Sequence, residues 1–318
     1  MTALVVIVSF NSGKSLQRCV EAVLEQTYEN KTVVVVDNAS SDNQSLTVLD
    51  NLAREQKVYL KRLTDNAGYG AAINLAVREW PDSQFIACLN ADAFPDKNWL
   101  SELIAVAESE ERIASVGSLM VQAHNANRLD GAGDALGFTG YPHRLGYGAD
   151  LATADRYPAE IFSACAGACL YRRSAFEQVH GFDDSFFMYV EDVDLGFRLR
   201  LAGFENRLCH TALAHHIGSE SAGYRSGFYT FFGHRNTELM LWKCLPAPLF
   251  LLVGPIHFLA VVALLPVMAR RGRLRTYCRA KWAALRLLGT TRQARATVSV
   301  SCKSSAILKA MTLHWRRK

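Results

Sequence analysis

The sequence predicts an α/β protein: a mostly parallel, Rossmann-like sheet flanked by helices, with a helical C-terminal region behind it. Three observations carry this. Short β-branched apolar runs alternate with helical patterns over the first ninety residues. Polar residues gather where those runs end. Acidic residues stop at Glu238, so the last eighty residues differ in kind from the rest.

Residues 4–8 are apolar at every position, the pattern of a strand buried on both faces. Leu16, Cys19, Val20, Val23 and Leu24 follow at helical spacing, with Ser15 as a candidate N-cap. Residues 32–36 repeat the buried-strand pattern, and Leu46, Leu49, Leu52 and Ala53 mark a second helix. Residues 58–63 give a third strand, 71–77 a third helix and 85–89 a fourth strand. Residues 117–148 are rich in glycine and read as a mobile loop region over the site. A further strand is expected across 165–171, and a helix across 190–201 stopped by Gly203.

In such sheets ligands bind beyond the carboxyl ends of the strands. Here those ends carry Ser9-Phe10-Asn11-Ser12, Asp37-Asn38-Ala39-Ser40, Thr64-Asp65-Asn66 and Asn90-Ala91-Asp92. One such cluster is ordinary turn chemistry; four on four buried strands point to a binding site. Asp92, directly after a buried strand, is a candidate ligand for a divalent cation against a diphosphate. Glu191, Asp192 and Asp194 fall in the first turn of a helix. A favourable helix dipole explains one acid there, at about 0.3–1 kcal/mol, and not three. One of them suits a general base. His215 and His216 close an apolar stretch and are candidates to complete a metal site.

The ordered set of motifs is more specific than any one of them. It comprises Val-Ile-Val-Ser-Phe-Asn within 5–11, Val-Val-Asp-Asn-Ala-Ser-Ser-Asp at 35–42, Asn-Ala-Gly-Tyr-Gly-Ala-Ala-Ile-Asn at 66–74 and Leu-Asn-Ala-Asp at 89–92. It continues with Gly-Ala-Cys-Leu-Tyr-Arg-Arg at 167–173, the acidic stretch at 181–195 and His-His-Ile-Gly-Ser at 215–219. The whole resembles family 2 glycosyltransferases, most of all their rhamnosyltransferase-like branch, over roughly residues 3–240. The resemblance implies a GT-A fold and an inverting transfer from a nucleotide sugar. It implies that Ser9, Asn11, Asp37, Asn66, Gly68, Asn74 and Asn90 bind the donor. Asp92, with His215 or His216, would hold Mg2+ or Mn2+; Asp192 would be the base, with Asp183 and Glu191 on the acceptor side. One departure stands out: the family often carries Asn-Pro-Asp or Asp-x-Asp where this chain has Asn90-Ala91-Asp92, and Asn90, a neutral and weaker ligand, would hold the ion more loosely.

The formal net charge of +5 is a sum of opposites. Residues 239–318 carry fifteen basic groups and no acid, leaving −10 on the first 238 residues. Residues 245–268 contain no Asp, Glu, Lys or Arg, which meets the length of a membrane span. Pro246, Pro248, Pro255 and Pro266 suggest broken helices, so a re-entrant or interfacial segment stands beside a full span as a reading. Arg and Lys interspersed with Leu274, Tyr277, Trp282 and Leu285 over 270–286 suit an amphipathic helix on anionic lipid. The apolar stretch beside them disfavours nucleic acid.

The expected organisation is a catalytic domain over 1–240 and a membrane-associating region over 241–318. Eight scattered cysteines and the lack of a signal-peptide pattern at the start predict reduced thiols and a cytoplasmic protein at the inner face of the membrane. The expected reaction transfers a sugar, L-rhamnose from dTDP-rhamnose, to a lipid-linked or polysaccharide acceptor. A UDP-sugar-dependent transferase and an inactive nucleotide-sugar-binding scaffold are the competing readings. A nucleotidyltransferase ranks lower, because the loop after the first strand offers one glycine and one lysine.

Overall fold

The computed structural model describes residues 2–218 and 227–312. Ser219 of the histidine motif and the basic residues Arg316, Arg317 and Lys318 lie outside the described residues. The chain opens with β1 (Ala3–Ser9), α1 (Gly13–Leu24), β2 (Lys31–Asp37), α2 (Asn43–Glu55), β3 (Tyr59–Arg62), α3 (Tyr69–Glu79) and β4 (Phe85–Asn90). These strands pair in parallel in the order β3-β2-β1-β4. Val5 and Ile7 face one core with α1 and α2, while Leu4 and Val6 face another with α3. Period-2 alternation between two apolar layers is why the sequence runs are continuous rather than alternating.

The second half is mixed. It contains β5 (Ala93–Pro95), α4 (Trp99–Ser109), β6 (Ile113–Gln122), β7 (Asn125–Gly131), β8 (Asp134–Leu136), β9 (Pro142–Arg144), β10 (Ala168–Arg172), α5 (Arg173–Gln178), α6 (Glu191–Leu201) and β11 (Glu205–His216). β10 runs antiparallel between β4 and β6, and β11 joins parallel to β6 and antiparallel to β5. The region 117–148, expected to be a mobile loop, is largely β-structure. Leu129, Ala132 and Ala135 are fully buried there, and Gly133, at φ +82°, lies where a Cβ would meet the Ile161 side chain at 2.6 Å. Close packing, not freedom, uses that glycine.

The C-terminal elements are α7 (Gly227–Cys244), α8 (Ala247–Arg270), α9 (Leu274–Arg286), α10 (Leu288–Ala296) and α11 (Ser304–Thr312). The expected division at residue 240 falls within α7. α8 is one continuous 24-residue helix, not a broken one. Pro246 caps it and Pro248 sits in its first turn, where a missing N–H has no partner to lose. Pro255 and Pro266 lie inside the helix, and each lacks the N–H that would donate one interior hydrogen bond. Residues of α7, α8 and α11 form a third apolar cluster with Phe162, Phe186, Phe197 and Leu201 of the body.

Candidate active site

The polar strand ends converge by direct hydrogen bonds. Asn11, at φ +52°, accepts from the Ser41 and Asp42 backbone N–H groups through Oδ1 at 2.9 and 3.3 Å. Asp37, 3% exposed, accepts from Ser40 N at 3.1 Å. Ser9 is buried beside it in the next strand, in register with Asp37. Asn66 accepts from Gly68 N, fixing the turn into α3. Gly68 has φ +89°, and a Cβ there would stand 2.4 Å from the Phe187 carbonyl oxygen. Only glycine permits that approach, which Tyr69 N–H completes by donating to the same oxygen at 2.8 Å.

Asn74, expected to bind the donor, lies between α3 and the loop before α6. Its Nδ2 donates to Phe182 O and Asp184 Oδ1, and its Oδ1 accepts from Phe182 N. Both ends of the amide are engaged in bracing α3 against the loop before α6. Asn38, which the sequence reading did not single out, is 2% exposed and donates to Gly68 O while accepting from Ala67 N.

Strand pairing places the two histidines differently. β5 and β11 place Ala93 opposite His216, and Ile217 N–H donates to Asp92 O at 3.0 Å. His216 Nε2 then lies 3.2 Å from Asp92 Oδ1 and 3.4 Å from Asn90 Nδ2. Its Nδ1 lies 2.9 Å from Asp130 Oδ2. His215, one residue earlier on a pleated strand, points the other way and contacts Asp96 at 3.2 Å. Burial pushes the His216 imidazole down, yet hydrogen bonds to Asp130 and Asp92 and their charges raise it to about 9. The pocket therefore favours positive charge between two carboxylates. A carboxylate oxygen and an imidazole nitrogen, the latter backed by a second carboxylate, suit a divalent ion such as Mg2+ or Mn2+.

The acidic turn of α6 divides its labour. Asp194 is fully buried and paired with Arg198 and Lys243. Glu191 is pushed up to about 8 by burial and by the Asp192 charge. Asp192 accepts from Ala166 N through Oδ2 at 3.1 Å and from its neighbour Val193 N through Oδ1 at 2.8 Å. The approach to this turn is strained: Phe187, Tyr189 and Val190 all have positive φ without being glycine. Asn236 of α7 holds it by donating to the Phe186, Met188 and Tyr189 carbonyls. Asp183, expected on the acceptor side, is ion-paired with Lys243 at 2.5 Å.

Asp192, Asp134 and Cys165 bring ligand atoms within 4.8 Å of one another. A guanidinium already supplies positive charge here, since Arg144 Nη2 donates to Cys165 Sγ at 2.7 Å and Nε lies 3.7 Å from Asp134. Burial pushes the Cys165 thiol well up, away from the thiolate a metal needs. At Asp92 and His216, likewise, a cation would bind only as the raised imidazole gives up its proton. Burial also lifts Asp134 to about 7, against the pull of Arg144.

Asp130, Asp134 and Arg144 were missed in the sequence. Their one signal was the density of glycine around 131–148, which reads as looseness when seen without partners.

A family model described as Glycosyl transferase family 2 matches residues 4–180. N-acetylglucosaminyl-diphospho-decaprenol L-rhamnosyltransferase of Mycobacterium tuberculosis is 28% identical over 265 residues, covering 74% of this chain and 83% of that protein. The O-antigen biosynthesis protein RfbC of Myxococcus xanthus is 29% identical over 229 residues, 70% of this chain and 18% of its own length. Among solved structures, the chain is similar to GalNAc-T7 with UDP, GalNAc and Mn2+, at TM-score 0.64 and 17% identity over 78% of this chain and about half (48%) of the other. It is also similar to the mannosyltransferase PcManGT of Pyrobaculum calidifontis in complex with GDP-Man and Mn2+, at TM-score 0.57 and 16% identity over 99% of this chain and 88% of the other. The fold is that of the GT-A glycosyltransferases.

Proposed function

Because the chain belongs to glycosyl transferase family 2, a family of sugar-transferring enzymes of glycan synthesis, we propose that it is an inverting, metal-dependent rhamnosyltransferase. Its donor is dTDP-rhamnose and its acceptor a lipid-linked sugar at the inner face of the membrane. The observation that carries the reading is the separation of two acidic centres: Asp92 with His216 at the strand ends, and Asp192 at the start of α6. The mycobacterial rhamnosyltransferase, similar across most of both chains, supports the choice of sugar and acceptor.

Asp92 and His216 would hold a divalent cation, which neutralises charge on the departing diphosphate. Asn11, Asp37, Asn66 and Ser9 border the nucleoside end of the donor. The acceptor hydroxyl gives its proton to Asp192, whose two oxygens each keep a lone pair beyond their backbone bonds. The oxygen then attacks the anomeric carbon from the face opposite the departing diphosphate, which inverts the configuration. Glu191, at about 8, carries its proton at pH 7 and so spares the site a third buried charge.

On the membrane side, α8 is long and apolar enough to cross a bilayer by length and composition, with Leu251 80%, Phe258 65% and Leu259 67% exposed. The exposed basic residues of α9 lie next to it in sequence. Together they fit attachment to anionic lipid. The test is a donor panel: nucleoside diphosphate release from dTDP-, UDP- and GDP-sugars, with Asp192→Asn alongside. Release from dTDP-rhamnose, lost in Asp192→Asn while donor binding persists, is the expected result. Release from UDP-sugars alone, or full turnover by Asp192→Asn, would overturn the donor or the base assignment respectively.

A further inference from the structure

A groove of about 490 Å³ lies among the C-terminal helices, remote in sequence from the motifs that carry the reaction. α7 contributes Tyr229 and His234 to it, and α8 contributes Ala263 and Leu264. The turn between α8 and α9 contributes Arg271 and Arg273. Its lining thus combines three chemistries: an apolar wall, neutral polar rings and two guanidinium groups.

Each part has an independent mark of a ligand. The apolar wall continues in sequence from Phe258, Leu259 and Val262, which are 65%, 67% and 44% exposed. Arg271 and Arg273 make no ion pair among the described residues, and no acid follows Glu238 in the chain. Burial, with the nearby Lys281 charge, lowers His234 to about 4, so its ring is neutral at pH 7. The Nδ1 of that ring is buried without a hydrogen-bond partner among the described residues. A buried polar atom of this kind calls for a polar group to meet it.

The groove also borders the loop that leads into α6. The Tyr229 ring packs on the Tyr189 ring with centroids 5.0 Å apart, and Tyr189 lies three residues before Asp192. A molecule laid along the groove meets apolar wall, guanidinium pair and a tyrosine beside the loop that carries the proposed base. That is the build of an isoprenoid diphosphate carrying a sugar. We infer that the groove between α7, α8 and the α8–α9 turn seats the diphosphate and first isoprene units of the acceptor, Arg271 and Arg273 gripping the phosphates, so that its sugar hydroxyl is delivered to Asp192. The inference rests on the proposed lipid-linked acceptor. Guanidinium–phosphate contacts are bidentate and charge-assisted, which gives them more orienting power than a diffuse basic surface.

The test uses the full chain in detergent and in liposomes. Three acceptors are compared: a short-chain polyprenyl-diphosphate-linked N-acetylglucosamine, the same sugar on a neutral aryl aglycone, and water. Arg271→Ala/Arg273→Ala should raise KM for the diphosphate-linked acceptor at least tenfold and leave KM for the aryl glycoside and for the donor within twofold. Ala263→Trp, which fills the apolar wall without touching charge, should do the same. Sedimentation with anionic liposomes should stay within twofold for both variants. Unchanged KM for the diphosphate-linked acceptor in both variants overturns the inference while leaving the acceptor reading intact. Loss of liposome binding in step with activity assigns the arginines to bilayer headgroups and overturns it too. A wild-type enzyme that uses the aryl glycoside and ignores the lipid-linked sugar overturns the acceptor reading itself, and the inference with it.

Discussion

Lys243→Met separates two views of the C-terminal region: a basic attachment laid beside the catalytic body, or a part of its core. Lys243 is 4% exposed, with Nζ 2.5 Å from Asp183 Oδ2 and 2.8 Å from Asp194 Oδ1. Removing one partner of a buried ion pair costs about 3–5 kcal/mol, because a charge is left without compensation. Asp194 keeps Arg198, at 2.8 Å from both Nε and Nη2, and Asp183 keeps Ser185. The expected cost therefore sits at the lower end, about 3 kcal/mol. For a chain of this size that lowers the melting temperature by about 4–5 °C. Burial pulls Lys243 down, but the charge of Asp194 raises it on balance. Burial raises Asp183, but the charge of Lys243 lowers it on balance. The lysine's contribution is full below its unfolded value and fades as pH rises through its higher folded one. The aspartate's is full above its unfolded value and fades as pH falls through its lower folded one. The gap between variant and wild type should thus be widest from about pH 4 to pH 10 and narrow outside it. Thermal unfolding followed by circular dichroism across that range is the assay. A gap under 1 °C at pH 7 would refute the reasoning.

Three further outcomes are expected. His216→Ala should weaken Mn2+ binding, read by electron paramagnetic resonance, at least tenfold, and His215→Ala by less than twofold; equal losses would remove the distinction that strand pairing makes. Glu191→Gln removes a carboxyl whose folded value of about 8 exceeds its unfolded one, so wild type loses stability relative to the variant as pH rises from about 4.5 to 8 and no further above that. A melting difference that stays flat across that range would contradict the buried, raised carboxyl. Arg275→Glu/Arg279→Glu, on the exposed side of α9, should reduce sedimentation with anionic liposomes more than tenfold at low salt, each basic residue near such a surface being worth about 1 kcal/mol; unchanged sedimentation would detach α9 from the membrane.

What was legible in the sequence follows the range of the interactions involved. β1, β2 and β4 announce themselves because burial on both faces leaves unbroken apolar runs, and the polar residues at their ends stand out against these. The three acids of α6 were visible as a group, but their separate tasks were not. Asp194 answers to Lys243, 49 residues away. The candidate site was half visible for the same reason: Asp130 meets His216 across 86 positions and Arg144 meets Cys165 across 21. Single buried polar residues carry no periodicity, so their partners appear only when the sheet closes. Charge counting failed in the C-terminal region for that reason too. Lys243 and Lys281 are basic residues of a basic segment, yet they are turned inward onto Asp183, Asp194 and Glu238.

α7 joins the two halves of the molecule mechanically. On one side Asn236 holds the three carbonyls of the strained loop that leads into Asp192, and Arg235 donates to the Ser185 and Phe186 carbonyls. On the other, Glu238 accepts from Lys281 of α9 and lies 2.9 Å from His257 Nε2 of α8. Burial raises the Glu238 carboxyl, and the His257 hydrogen bond and Lys281 charge outweigh that and lower it. Asn236 and Glu238 are two residues apart, so a shift of α8 or α9 relative to the body moves the same short stretch of helix that fixes the base. Backbone held at positive φ in non-glycine residues stays there only while its surroundings enforce it. The position of Asp192, the proposed base, is therefore tied to the seating of α8 and α9 against the body. On the proposed reading, in which α8 and α9 meet lipid, one helix rather than a flexible tether couples membrane contact to the loop of the base.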